Sequence, residues 1–350
     1  MKKLLRSRKH KNTEHTARIT NETVAEHRER ILAGGRRFKY PVQYARHRLV
    51  INTIVISVVA LVLFVAVVWW QLYPAQNSST FFYRITRVLP LPVATIDGQS
   101  VEYGNYLVAY RSQAHYLEFK EGINLRSKEN KERVDFIKRK ALNDAIADAY
   151  AVKLARAHNI SITDAQVDSA IERQRRSRDG IASVETYDAI ILDHFDWTPE
   201  EARGVTARKL LRQEVAYKID EQASKQRERL EGLLKTEPDL DKIATSLGGE
   251  GAAKVSVFVT PLVPRSNQDG GLALAAGSLK SGQTSSIFKS TSGDGYYVVR
   301  LLDVDSADRI SYAYIKIPLT AFDAELKQVK KDGKIKEYIS VPDGTSRTEE

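Results

Sequence analysis

Residues 49–70 read LVINTIVISVVALVLFVAVVWW and contain no charged side chain; Asn52, Thr53 and Ser57 are the only polar members. A helix rises about 1.5 Å per residue, so roughly 20 apolar residues cross the hydrocarbon core of a bilayer. A core helix of a globular domain is usually shorter and keeps a polar stripe. The run therefore predicts one N-terminal transmembrane helix, placed at residues 49–71. Trp69, Trp70 and Tyr73 fall where an interfacial aromatic belt belongs.

Charge sets the expected orientation. Residues 1–48 carry fourteen Lys or Arg and four acids, a balance of +10, which equals the formal net charge of the whole chain. The remainder is neutral. By the positive-inside rule the basic tail, residues 1–48, is cytoplasmic and the later domains are extracytoplasmic: a single-pass cell-membrane protein of bacterial type. The tail is expected to be disordered. A basic pI near 9.4 would otherwise suggest a nucleic-acid binder. Here topology explains the excess, so the expected partner of helix and tail is membrane lipid and no nucleic acid. The apolar run is longer than the core of a cleavable signal peptide and 48 residues precede it, so a retained anchor is expected. With no cysteine in the chain, disulfides, thiolate catalysis and Cys-ligated metal are excluded.

About 280 residues follow the apolar run, enough for one or two domains with cores of their own. Residues 72–92 are rich in Pro and Ser and read as a linker, with 81–83 near the membrane surface and Pro90 and Pro92 opposing helix. A short strand at 93–96 meets the turn dipeptide Asp97-Gly98. Ser100 is placed as the cap of a helix over 101–120, and a charged break covers 121–131. A helix over 132–158 follows, with Val134, Ile137, Ala141, Leu142, Ala145, Ile146, Ala149 and Val152 at helical spacing. Thr163 with Gln166, and Thr198 with Glu201, fit capping boxes; Pro199 takes the first position of the second. They predict helices at 164–178 and 199–230, with a shorter one at 185–194. The pattern then changes to a short helix at 239–247 and strands at 255–259, 296–302 and 311–317. A last helix is expected over 320–338, broken at Gly333. Residues 341–350 are polar and expected to be disordered.

No hydrolase signature occurs. The glycine-rich run at 248–254 has Val255 where a phosphate-binding loop needs Ser or Thr, and reads as a plain loop. His115, His158 and His194 share no metal-ligand spacing and read as surface or helix-end residues. The basic run 173–178 reads as a solvated helix face. No metal or other cofactor is expected.

Four features of residues 93–220 carry a resemblance. They are the opening VATIDGQSVEYGNY, the helix ALNDAIADAYAVKLARAHNI running into SITDAQVDSAIE, the spaced pair of short helices, and DWTPEEARGVTARKLLRQEV. Together they resemble the N-terminal chaperone module of the SurA/PrsA family of extracytoplasmic foldases. That family usually carries parvulin-type (PpiC) peptidyl-prolyl isomerase domains after the module. Residues 239–302 resemble the later part of one: Leu279, Gly282 and Ser285 fit an L-x-x-G-x-x-S stretch, and Gly295 and Tyr296 fit the start of G-Y-H.

Departures from the family pattern are specific. No histidine-bearing strand precedes residue 239. The nearest sequence, residues 312–317, comes after the final strand, and Tyr314 stands where histidine is expected. Tyr297 replaces the histidine of G-Y-H. The resemblance thus makes Tyr297 and Tyr314 the catalytic candidates of a rearranged or degenerate isomerase unit; read from their strands alone, they are neighbouring residues packed in the sheet. Prolyl isomerisation lowers a barrier of about 18–20 kcal/mol and needs no nucleophile or metal, only a pocket that desolvates and twists the imide.

The expected fold class is mainly α with a small α+β domain: the transmembrane helix, a SurA-like helical module over 93–230, and a parvulin-like antiparallel-sheet unit over 231–318. By the resemblance, a C-terminal helix over 319–340 returns to complete the helical module. Three functions compete: a membrane-anchored chaperone for unfolded exported polypeptides, an active peptidyl-prolyl isomerase, and a non-catalytic envelope scaffold with one fixed partner.

Overall fold

A computed structural model describes residues 20–177, 180–248 and 255–343, with side chains described throughout these except at 35–46. The first helix, α1 (Asn21–Leu72), contains the apolar run. Residues 47–72 are long and apolar enough to cross a membrane. The tail departs from its expected disorder from residue 21 onward. That segment is rich in helix formers, and Glu26 and Arg30 stand at the i,i+4 spacing that supports a helix. Residues 1–19 and 344–350 lie outside the described residues.

Residues 72–92 are docked and do not form a free linker. Leu72 is fully buried, and the Tyr103 hydroxyl donates to its carbonyl at 2.5 Å. Tyr73 donates to the Pro92 carbonyl at 2.8 Å. A helix, α2 (Thr80–Val88), ends just before Pro90. Proline opposes helix at its own position and the one before it, and α2 stops short of both. Tyr83 and Thr86 are the buried residues of α2, so residues 81–83 do not present one common surface.

The next elements are β1 (Pro92–Ile96), β2 (Gln99–Glu102) and α3 (Tyr103–His115). Asp97 and Gly98 both take positive φ, 45° and 82°, as a two-residue hairpin turn of this type requires. Ser100 therefore lies inside a strand, not at a helix cap, and α3 is shorter than expected. A π-helical turn (Tyr116–Lys120) and a 3₁₀ turn (Lys128–Asn130) fill the stretch before α4 (Lys131–Ala157).

Helix α4 is the axis of the module. Its inward positions Ala141, Leu142, Ala145, Ile146, Ala149 and Ala151 are small or aliphatic, which lets neighbouring backbones approach closely. Both capping boxes form, at Thr163 for α5 (Asp164–Gln174) and at Thr198 for α7 (Pro199–Ile219). Between them lie the hairpin β3 (Arg176–Ser177) and β4 (Gly180–Ile181), and α6 (Val184–Phe195). Residues 173–177 of the basic run are thus a helix end entering a strand, not a continuous helix face, and residue 178 lies outside the described residues. The predicted helix over 199–230 is broken at Asp220, where α8 (Glu221–Leu233) begins.

Beyond α9 (Leu240–Leu247), the strands β5 (Val257–Val259), β6 (Val263–Pro264), β7 (Phe288–Lys289), β8 (Gly295–Val304) and β9 (Arg309–Pro318) form an antiparallel sheet in the order β5-β9-β8-β7, with β6 also on β9. Period-two alternation gives the sheet two apolar faces. Tyr296, Val298, Ile315 and Ile317 pack under α8 and α9. Val299, Leu301, Ile310 and Tyr312 pack under α10 (Leu272–Gly277).

The C-terminus returns to the helical module, but not as one long helix. Helix α11 (Ala321–Lys331) sets Phe322 against Tyr150 of α4, ring centres 5.9 Å apart. The chain turns at Gly333 (φ 69°), and β10 (Ile335–Glu337) pairs with β1, Ala94 opposite Glu337. Arg139 holds the last described residues through the Pro342 carbonyl at 3.2 Å and the Val341 carbonyl, so residues 341–343 are docked.

Candidate functional site

Tyr297 and Tyr314 lie on the same face of the sheet, where period-two alternation on two antiparallel strands puts them. Val299 faces Tyr314 and Tyr297 faces Lys316, so the two tyrosines are diagonal neighbours with ring centres 5.8 Å apart. Phe258 stacks on Tyr314 at 5.2 Å and Phe288 on Tyr297 at 6.3 Å. The result is an aromatic strip across β5, β9, β8 and β7.

Asp294 organises one end of that strip. Its carboxylate accepts from Lys316 Nζ (2.5 Å), the Tyr297 hydroxyl (2.8 Å), Ser290 Oγ (2.6 Å) and Ser292 Oγ (2.7 Å). Burial alone would raise the Asp294 carboxyl. The four hydrogen bonds outweigh it and hold the group well below the usual carboxylate range. Burial and the Asp294 partner both push the Tyr297 phenol up, so it stays protonated and acts as a donor. Tyr297 thus spends its proton on Asp294. Among the described residues no hydrogen bond occupies the Tyr314 hydroxyl. Two serines and an aspartate within five residues were the available signal for this cluster.

Gly295 is fixed by close approach. A Cβ there would lie 2.3 Å from the Ile317 carbonyl oxygen. The Tyr217 hydroxyl, reaching across from α7, donates to the Gly295 carbonyl at 2.7 Å. Gln213 donates to the Ser292 carbonyl at 2.9 Å, and Lys289 pairs with Glu214 at 2.8 Å. Helix α7 is therefore the seam between the helical layer and the sheet.

Three clefts of about 220, 580 and 230 Å³ meet along that seam and share Lys209. The largest runs between α4, α7, α11 and the 292–294 turn. Its walls mix Lys209 and Arg212 with Asp144 and Asp323, and apolar Phe322 with Leu326. Arg212 lies 3.3 Å from Asp148, and Arg208 3.6 Å. Burial still pushes the Asp148 carboxyl up despite both guanidiniums, and burial lowers Arg208. None of these clefts is lined by Tyr297 or Tyr314.

Asp220 joins three elements. It is 2 % exposed, caps α8 through the Ala223 N–H (2.8 Å), and accepts from the backbone N–H of Thr320 (2.7 Å) and Ala321 (3.1 Å). Its capping bond to Ala223 is local, an Asp at an N-cap, but the two partners that tie it to the start of α11 lie about 100 residues away and leave no local signal. Of the histidines, His115 bonds the Asp193 carbonyl at 3.0 Å, His194 the Ile190 carbonyl at 3.1 Å, and His158 ends α4.

The module also exposes large apolar side chains, among them Phe119 in the π-helical turn, Phe136 on α4, and Ile190 and Leu192 on α6. Residues 43–216 match the family described as the SurA-like N-terminal domain. No curated protein matches the chain.

Proposed function

The chain carries a SurA-like N-terminal domain, and from that premise we propose that it is a membrane-anchored, extracytoplasmic chaperone that holds unfolded exported polypeptides. The domain match at 43–216 carries the reading. Exposed Phe119, Phe136, Ile190 and Leu192 support it, since apolar side chains on a rigid helical layer can engage extended apolar segments without a preformed pocket. Helix α1, with the basic residues before it, anchors the protein in lipid with its N-terminus in the cytoplasm. Anchoring keeps the module at high effective concentration near emerging chains. We take the helical module as residues 93–230 completed by α11 and β10, with the sheet unit, 231–318, inserted between. The test is light scattering of a denatured client diluted into the full chain held in nanodiscs. Suppressed aggregation at near-stoichiometric ratios is expected. Aggregation at the rate seen with empty nanodiscs sinks the proposal.

A second reading, peptidyl-prolyl isomerase activity, is favoured by one observation: Tyr297 and Tyr314 share a sheet face at 5.8 Å. In that reading Tyr314 donates to the twisting imide, and Tyr297 serves as a packing wall because its hydroxyl already donates to Asp294. A protease-coupled isomerisation assay on the wild type and Tyr314→Phe decides it. Activity lost in the variant supports an enzyme; equal rates in both exclude Tyr314.

A further inference from the structure

Helix α2 is held by one face and offers a second, apolar face to its surroundings. Tyr83 and Thr86 point inward. The Tyr83 hydroxyl donates to the Glu201 carboxylate, and the Arg111 guanidinium lies 5.1 Å from the Tyr83 ring centre. Gly104 brings α3 so near that a Cβ there would lie 3.0 Å from the Thr86 carbonyl oxygen. At 100° per residue, positions 81, 85 and 88 fall on the opposite side. Phe81 is 61 % exposed and Val88 80 %, and Leu89 continues the strip.

Chain continuity says what that face meets. Helix α1 ends at Leu72, and seven residues separate it from Thr80. Those seven are docked: Gln76 donates to the Ser340 carbonyl at 2.7 Å, and Arg111 donates to the Ser78 carbonyl at 2.8 Å. The face therefore cannot drift far from the end of the apolar helix. Charge agrees with chain length. No Asp or Glu occurs between Glu29 and Asp97, whereas Arg84 and Arg87 flank the apolar strip. A short helix with aromatic and aliphatic residues on one side and arginines beside them suits a bilayer interface, where the apolar face sinks about 5–10 Å below the headgroups.

We propose that α2 lies on the membrane surface through Phe81, Ile85, Val88 and Leu89, with Arg84 and Arg87 at phosphate level. The module is then held at two points, the end of α1 and the length of α2, which fixes its rotation relative to the bilayer. This placement presupposes that α1 spans the membrane.

The cysteine-free sequence allows a direct test. Single variants Phe81→Cys, Val88→Cys, Val59→Cys in the apolar run and Glu228→Cys on α8 are spin-labelled in the full chain in nanodiscs. Accessibility to oxygen and to a water-soluble nickel chelate is then measured. The expected result is a high oxygen-to-nickel ratio at 59, an intermediate ratio at 81 and 88, and a low ratio at 228. Labels at 81 and 88 as nickel-accessible as 228, with 59 still in lipid, overturn the proposal and leave the anchor standing. Labels at 81 and 88 shielded from both reagents also overturn it, because a protein surface then covers the face. A nickel-accessible label at 59 overturns the anchor itself.

Discussion

Replacing Asp220 with alanine tests whether the C-terminal return depends on one buried carboxylate. The side chain caps α8 and holds the first two backbone N–H groups of the α11 start. Loss of a helix cap costs about 1 kcal/mol. Two further charge-assisted bonds contribute about 1.5–3 kcal/mol each when fully buried. Thr320 is exposed and Ala321 half-exposed, so water recovers part of that loss. The sum is about 3 kcal/mol, which for a unit of this size lowers the melting temperature by roughly 6–12 °C. Asp220→Asn keeps an acceptor oxygen and should lose less than half as much. The assay is thermal unfolding of the full chain in detergent, read beside amide hydrogen exchange over residues 320–337. Faster exchange confined to that stretch, with the cooperative shift, is expected. A melting temperature within 2 °C of wild type and unchanged exchange would refute the reasoning.

Asp294→Asn should destabilise the 290–294 turn at neutral pH. The folded carboxyl titrates below its unfolded value, so its contribution is complete above the unfolded pKa of about 3.9 and fades as pH falls further. The stability gap between wild type and variant, measured by urea titration at pH 7 and pH 3, should therefore shrink at low pH; a constant gap contradicts the assignment. Gly295→Ala places a Cβ 2.3 Å from a backbone oxygen of the paired strand and should cost about 2–3 kcal/mol in urea unfolding. Ending the chain after Asp332 removes β10, the Glu337 partner of Arg139 (2.6 Å) and the Tyr338 N–H bond to Val93 (2.9 Å); limited proteolysis should then cut within β1 and α4, and an unchanged digest would count against β10 as part of the module.

Local chemistry carried most of what could be read in advance. The Thr163 and Thr198 caps, the Asp97-Gly98 turn and the apolar face of α4 depend on residues within four or five positions, so the sequence displays them directly. Features set by distant partners stayed hidden. Ile335–Glu337 reads as the end of a helix because its strand partner lies some 240 residues earlier. Residues 72–92 read as a linker because Pro74, Ser78, Ser79, Pro90 and Pro92 mark breaks locally, while the contacts that dock them come from Tyr103, Arg111 and Ser340. Tyr297 and Tyr314 could be placed on one strand each, but their diagonal pairing needed the register of β8 against β9. The Lys316 ammonium that completes the Asp294 cluster comes from β9, the strand paired with that of Tyr297, and needed the same register.

Direct binding tests the chaperone claim most closely. The full chain in nanodiscs is titrated against one fluorescently labelled polypeptide in two forms, permanently unfolded and native, and anisotropy is followed. The account predicts saturable binding of the unfolded form, weakened by Phe119→Ser combined with Ile190→Ser, and no binding of the native form. Equal binding of both forms, or none of either, would contradict it.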